Sequence, residues 1–153
     1  MSEQTVRRAG PQDAEAMVAV AAGSGLFSAA EMDAFAPMIR EGAGDGDALW
    51  LVTDSLQGVA MVEAEGFADH VWNLRFIAVL PAVRGQGGGR LLLRAAEAAV
   101  LAQGARMLLV ETDGSAAFTR VRGFYRAAGY DEEARIRDYF GPGQDKVVFR
   151  KAF

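Results

Sequence analysis

The 153-residue sequence predicts a single mixed α/β (α+β) domain. Three observations lead there. Strand-length apolar runs at Leu49–Thr53, Val59–Glu65, Trp72–Val79 and Met107–Thr112 are interspersed with segments of helical periodicity. The segment between Trp72–Val79 and Met107–Thr112 is long enough to return the chain parallel to the first of these strands, through a right-handed crossover. Finally, Ala134–Phe140 and Lys146–Arg150 flank Gly141-Pro142-Gly143 and form a terminal hairpin. Together these give a mostly antiparallel sheet of about six to seven strands with a central parallel pair, flanked by about four helices.

The elements follow in order. Gln4–Arg8 is a short opening strand. Pro11-Gln12-Asp13 starts a helix that runs to about Ala22, and Gly23-Ser24-Gly25 ends it. Ser28-Ala29-Ala30-Glu31 has the spacing of a capping box, so a second helix begins near Ala29. Its apolar stripe is Met32, Phe35 and Ile39, and Gly42–Gly46 terminates it. The turn Asp54–Gly58 joins the next two strands, and Pro81 ends the third long one. From about Gly87 to Gln103 the only charges are Arg90, Arg94 and Glu97, so one narrow stripe faces water. Leu91, Leu92, Ala95, Ala99 and Val100 must then be packed. Gly104 closes this helix, and Met107–Thr112 is a continuous apolar run of the kind that buried central strands show. Ser115–Ala128 is another helix, ending at Gly129. Neither a repeat nor a linker interrupts the chain, so residues 1–153 read as one domain.

Composition excludes several chemistries. A net charge of −4 argues against a nucleic-acid partner, which needs a basic footprint. The absence of cysteine removes disulfides, thiolate nucleophiles and cysteine-based metal sites. His70 is the single histidine, so a histidine-rich metal cluster is excluded as well, and no metal is expected. The N-terminus lacks an apolar signal core and no apolar run reaches membrane-spanning length. The expectation is a soluble, cytoplasmic protein without a membrane partner.

The stretch Val83-Arg84-Gly85-Gln86-Gly87-Gly88-Gly89-Arg90 puts four glycines into five positions between a strand and a helix. It is not a nucleoside-triphosphate loop, because no Gly-Lys-Ser or Gly-Lys-Thr follows. It is not a dinucleotide fingerprint either, because Arg90 stands where the third glycine belongs. It does satisfy Arg-x-x-Gly-x-Gly through Arg84, Gly87 and Gly89. A helix start exposes unpaired amides and the positive end of the helix dipole, and glycines let an anion sit directly on those amides. Arg84 and Arg90 would add positive charge. The cluster alone leaves a flexible connector as the alternative.

Leu74–Leu93, LRFIAVLPAVRGQGGGRLLL, resembles the acetyl-coenzyme-A signature of the Gcn5-related N-acetyltransferases, the GNAT family. A second block, Gly123-Phe124-Tyr125-Arg126-Ala127-Ala128-Gly129-Tyr130, is similar to the family's Phe-Tyr-x-x-x-Gly-Phe/Tyr segment. The resemblance spans nearly the whole chain and implies a GNAT-like fold. It implies that Ile77, Ala78 and Val79 lie along the pantetheine arm, and that Gly85, Gln86, Gly87, Gly88, Gly89 and Arg90 hold the pyrophosphate through main-chain amides, with Arg84 beside them. It also implies that Tyr125 is the general acid.

The base is less defined. Glu111 closes a strand at about the place where some family members carry a glutamate, while Glu63, Glu65, His70 and a water chain are alternatives. The family's asparagine before the tyrosine helix is replaced by Asp113-Gly114-Ser115, which leaves that pantetheine contact unassigned. The resemblance implies an acyl-coenzyme-A-dependent N-acyltransferase with acetyl-coenzyme A as cosubstrate and a primary amine, of unidentified kind, as acceptor. A non-catalytic acyl-coenzyme-A sensor and a transferase of longer acyl groups are the alternatives. Acceptor choice in the family depends on the first two helices and the last strands, where Phe27, Met32, Phe35, Tyr139 and Phe140 could wall a cleft. Edge strands of this fold often pair, which keeps a homodimer open.

Overall fold

Seven strands form one sheet in the computed structural model, which describes residues 4–43 and 47–153. They are β1 (Val6–Arg8), β2 (Ala48–Thr53), β3 (Gly58–Ala64), β4 (Val71–Val79), β5 (Met107–Asp113), β6 (Asp131–Gly141) and β7 (Gln144–Ala152). Their spatial order is β1-β2-β3-β4-β5-β7-β6. Every neighbouring pair is antiparallel except β4 and β5, which the crossover makes parallel. Four helices cover the faces: α1 (Ala14–Gly23), α2 (Ala29–Gly42), α3 (Gly88–Ala102) and α4 (Thr119–Ala127).

Two cores result. On one face α3 and α4 pack on Leu49, Leu51, Val62, Leu74, Leu108, Val110 and Phe149. On the other, α1 and α2 cover Trp50, Val52, Val59, Met61 and Ala78. The strands supply alternate residues to each core, as the pleat requires. β4 breaks that alternation once. Met61 pairs with Phe76 and Val62 with Leu74, so Arg75 is an extra residue in a β-bulge. The bulge shifts the pattern by one. Trp72 and Leu74 face the α3 core, and beyond the bulge Ile77 and Val79 face it too, while Phe76 and Ala78 join the α1/α2 core.

Most predicted boundaries lie within one or two residues of those found. Ser28 and Glu31 make both capping-box bonds at the start of α2, at 3.1 and 2.6 Å. The α2 helix ends at Gly42, and residues 44–46 of the predicted terminator lie outside the described residues. The single helix expected over Ser115–Ala128 is a 3₁₀ turn, Ala116–Phe118, followed by α4. On α3 the water-facing side is wider than the charged stripe predicts, because Ala98 is exposed and Leu101 is 48% exposed. β6 begins three residues earlier than expected. Its acidic start, Asp131-Glu132-Glu133, has no strand signature, but an edge strand whose side chains face water needs none. Among the described residues, no helix is long and apolar enough to cross a membrane.

Candidate active site

The parallel ladder between β4 and β5 runs from Val71–Met107 to Leu74–Val110 and stops. Beyond it, β4 stays paired with β3 up to Val79, and β5 stays paired with β7 up to Asp113. The facing edges of Arg75–Val79 and Glu111–Asp113 are left without a strand partner, and the sheet opens between them. A cleft of about 400 Å³ occupies this split. It is lined by both strand ends, by Val121 and Tyr125 of α4, by Leu26, Phe27 and Glu31, and by Phe140 and Gln144 of the last hairpin.

At the end of β4, a 3₁₀ turn at Pro81–Val83 leads into the glycine cluster. Gly85 and Gly87 have φ of +77° and +87°, conformations that glycine adopts without steric cost. A Cβ built on either would meet no protein atom within 4 Å, so both present bare backbone to open space. Gly87 is the N-cap of α3, and the first turn behind it (Gly88, Gly89, Arg90) carries no side chain that caps the amides. Gly88 is buried, with Val79 and Gln4 beside it, and Gly89 lies against Phe124. Gln86 and Arg90 are exposed. Arg84 points elsewhere: its guanidinium donates to the Ser24 carbonyl beyond α1. The turn therefore presents backbone to open space and not the Arg84 side chain.

Tyr125 is 6% exposed and packs between Phe124, Tyr130 and Phe149, with ring centroids 5.1–5.9 Å apart. Burial pushes its phenol well above the ordinary value, so the hydroxyl stays protonated at neutral pH. That hydroxyl has no hydrogen-bond partner among the described residues, while its side chain lines the cleft. Arg122, one turn earlier, fixes how α4 meets β5. Its guanidinium donates to the carbonyls of Asp113 (3.0 Å) and Ser115 (2.7 Å). In the sequence Arg122 is one of three arginines at 120, 122 and 126, and only the fold shows that it alone is buried.

Glu111 reaches the same cleft from the opposite face of the sheet. It pairs with Lys146 of β7 at 2.9 Å and accepts a hydrogen bond from Asn73 Nδ2 at 3.3 Å. Asn73 is fully buried and also donates to Glu65 at 3.0 Å. The bulged Arg75 contacts Glu63 at 2.5 Å, Glu65 at 3.4 Å and Glu111 at 4.0 Å. Glu63, Glu65 and Glu111 thus share one network with Arg75, Asn73 and Lys146. Lys146 also lies 4.2 Å over the Tyr139 ring. Sequence reading did not single out Arg75, Asn73 or Lys146; the lone charge inside the apolar run Trp72–Val79 was the available signal. His70 sits at the far end of β4 from the glycine turn, bonded to Asp69 at 2.6 Å, and does not line the cleft. Of the five aromatic and apolar wall candidates, Phe27 and Phe140 line it; Met32 and Phe35 pack against the α1/α2 core, and Tyr139 covers Lys146.

Ile77 lines the cleft, whereas Ala78 is buried under α1 and Val79 stands next to Gly88. Tyr125, Glu111 and the edge of β4 therefore converge on one opening, with the glycine turn continuing from it along the chain. Among the described residues no cluster of metal-ligating side chains is found.

Comparison with known proteins bears on this arrangement. No curated protein matches the chain. A Desulfovibrio desulfuricans protein assigned to the GNAT acetyltransferases has a similar structure, with a TM-score of 0.90 and 27% identity over 98% of this chain and 99% of that one. The fold is shared with yncA from Salmonella typhimurium, solved with its cofactor acetyl-CoA (TM-score 0.75, 18% identity, 99% of this chain and 94% of that one). It is shared also with the PaiA N-acetyltransferase of Thermoplasma acidophilum, solved with coenzyme A (TM-score 0.74, 17% identity, 99% and 100%). The family model for the acetyltransferase (GNAT) domain matches residues 45–132, more than half of the chain, and takes in the split strands, the glycine turn and Tyr125. With the sequence match and the geometry in agreement, the chain belongs to the GNAT acetyltransferases.

Proposed function

We propose that this protein transfers the acetyl group of acetyl-coenzyme A directly to a primary amine. The observation that carries this reading is the unpaired edge of β4 from Arg75 to Val79, which leads from the Tyr125 cleft to the glycine turn. The pantetheine arm pairs with that edge at Ile77, Ala78 and Val79 as an added strand would. The pyrophosphate rests on the amides of Gly85, Gln86, Gly87, Gly88, Gly89 and Arg90, favoured by the positive end of α3.

The acceptor arrives as an ammonium ion and must lose one proton before its lone pair can attack. Glu111, directly or through water, takes that proton. The nitrogen–carbon bond then forms, the carbon–sulfur bond breaks, and the second proton passes to the sulfur. An ammonium ion and a thioester thus yield an amide, a thiol and one free proton. Tyr125 donates a hydrogen bond to the sulfur as charge develops on it; its raised pKa keeps the donor proton in place until then. Without cysteine there is no cysteinyl intermediate.

The test is thiol release from acetyl-coenzyme A across amines, amino acids, polyamines and peptides, with the acetylated product identified by mass. Tight acetyl-coenzyme-A binding with no release for any acceptor would instead favour a sensor.

A further inference from the structure

The half of the cleft away from Tyr125 has a chemistry of its own. Phe27 and Phe76 form one wall, and they are held rigidly. Phe27, Phe35 and Phe76 contact one another with centroids 5.0–5.8 Å apart, and Trp50 backs Phe76 at 6.0 Å. Phe118 and Phe140 also line the cleft, with Leu26 at its mouth. Its ionisable lining is Arg75 against Glu31, Glu111 and Asp113, an excess of carboxylates.

The cations nearby are already committed. Arg75 is held by Glu63 and Glu65, and Lys146 by Glu111 and the Tyr139 ring. A carboxylate on the acceptor would find no unengaged cation among the described lining residues, and it would meet the acidic excess. A second ammonium in place of an apolar body would leave the faces of Phe27, Phe76 and Phe140 without the contact they offer. Arg75 and Lys146 offset only two of the three charges of Glu63, Glu65 and Glu111, and Glu31 and Asp113 keep theirs while accepting from the Ser28 and Ser115 amides, so the lining stays net negative. The reacting ammonium is drawn in by this negative lining and stabilised over aromatic faces. The cleft must also admit the thioester end, so its volume limits the acceptor to a compact body.

From these observations we infer that the acceptor is a compact primary amine with an aromatic or similarly bulky apolar body and no carboxylate. This rests on the acetyl-transfer reading above and names the substrate class of that same site.

The test compares three amines with acetyl-coenzyme A: phenethylamine, phenylalanine (the same body plus a carboxylate) and diaminobutane (a second ammonium in place of the ring). Phenethylamine is expected to exceed each of the others in kcat/KM by about tenfold to a hundredfold. Phe140→Ala, which truncates a half-exposed ring on the hairpin, should lower kcat/KM for phenethylamine by about tenfold while leaving acetyl-coenzyme-A affinity unchanged. Phe27→Leu, a milder change in the packed wall, should lower it in the same direction. If phenylalanine or diaminobutane matches or exceeds phenethylamine, the inference is overturned while acetyl transfer stands. If no amine releases thiol from bound acetyl-coenzyme A, acetyl transfer itself fails and the inference falls with it.

Discussion

Leu74 and Val110 are the last pair of the parallel ladder, and beyond them β4 and β5 each keep only their outer partner. A sheet seldom leaves backbone amides unpaired in its middle, because buried amides without partners are costly. The split is therefore the structural reason to look for a ligand that behaves as a strand, and the predictions below follow from what surrounds it.

Tyr125→Phe removes a hydroxyl without a protein partner among the described residues. Stability should change by no more than about 0.5 kcal/mol, since only a group already unpaired is lost. Turnover should fall by about tenfold or more, with acetyl-coenzyme-A affinity nearly unchanged. Steady-state kinetics beside calorimetry separates the two effects, and unaltered turnover would remove the phenol from the chemistry.

Gly87→Val places a β-branched residue at φ +87°. A Cβ there meets no protein atom within 4 Å, so the loss is backbone strain of about 1–2 kcal/mol together with a blocked approach to the amides. Gly89→Ala has no positive φ, and its Cβ makes ordinary contact with Phe124 at 3.7 Å. Both should weaken acetyl-coenzyme-A binding, but only Gly87→Val should lower the melting temperature appreciably. Retained binding in Gly87→Val would refute the pyrophosphate cradle.

Glu111→Gln keeps the shape of the side chain and removes its charge. If Glu111 takes the ammonium proton, kcat/KM should fall about a hundredfold while acetyl-coenzyme-A affinity stays nearly unchanged. A kcat/KM equal to that of the unaltered enzyme would return the role to water.

Arg122→Ala leaves the carbonyls of Asp113 and Ser115 without their donor. A loss of about 1–3 kcal/mol in unfolding free energy is expected, together with lower turnover as α4 shifts Tyr125. Denaturant unfolding combined with kinetics tests this; a variant with unaltered stability and rate would show that the α4 position is set elsewhere.

Asp13 gives a pH prediction remote from the cleft. Its carboxylate accepts from Arg7 at 2.8 and 3.0 Å and from the Gly10 amide at 2.9 Å, and these bonds hold its pKa at about 2 against an ordinary 3.8. A depressed folded-state value stabilises the fold above the unfolded value, so the contribution is complete above pH 3.8 and is lost as pH falls toward 2. Denaturation midpoints measured across that window should fall more steeply for the unaltered protein than for Asp13→Asn. Parallel slopes would show that the pair contributes nothing.

Much of this was legible along the chain. The capping box at Ser28 and Glu31, the parallel return from Trp72–Val79 to Met107–Thr112 and the glycine-rich turn that opens α3 all follow from local chemistry. What escaped depends on partners distant in sequence. The end of the ladder at Leu74 is a property of two strands and their outer neighbours. The bulge at Arg75 becomes visible only against β3. Lys146 and Glu111 stand 35 positions apart and meet because β5 and β7 are adjacent in the sheet. Arg84 fits its motif yet turns to Ser24, because a long side chain goes where the fold offers a carbonyl.

The extra residue at Arg75 also divides β4 between two tasks. Up to Leu74 the strand is fastened on both edges; past the bulge it presents one edge outward while its side chains continue to fill both cores. On the proposed reading the cofactor side of the cleft follows the β4 stretch, and the lining across from it includes residues 26, 27 and 31 and the last hairpin at Phe140 and Gln144. If acetyl transfer proceeds as proposed, those two surface segments can be exchanged or mutated with β4 left in place. Acceptor preference would then be modular, open to redesign by grafting while the donor half stays as it is.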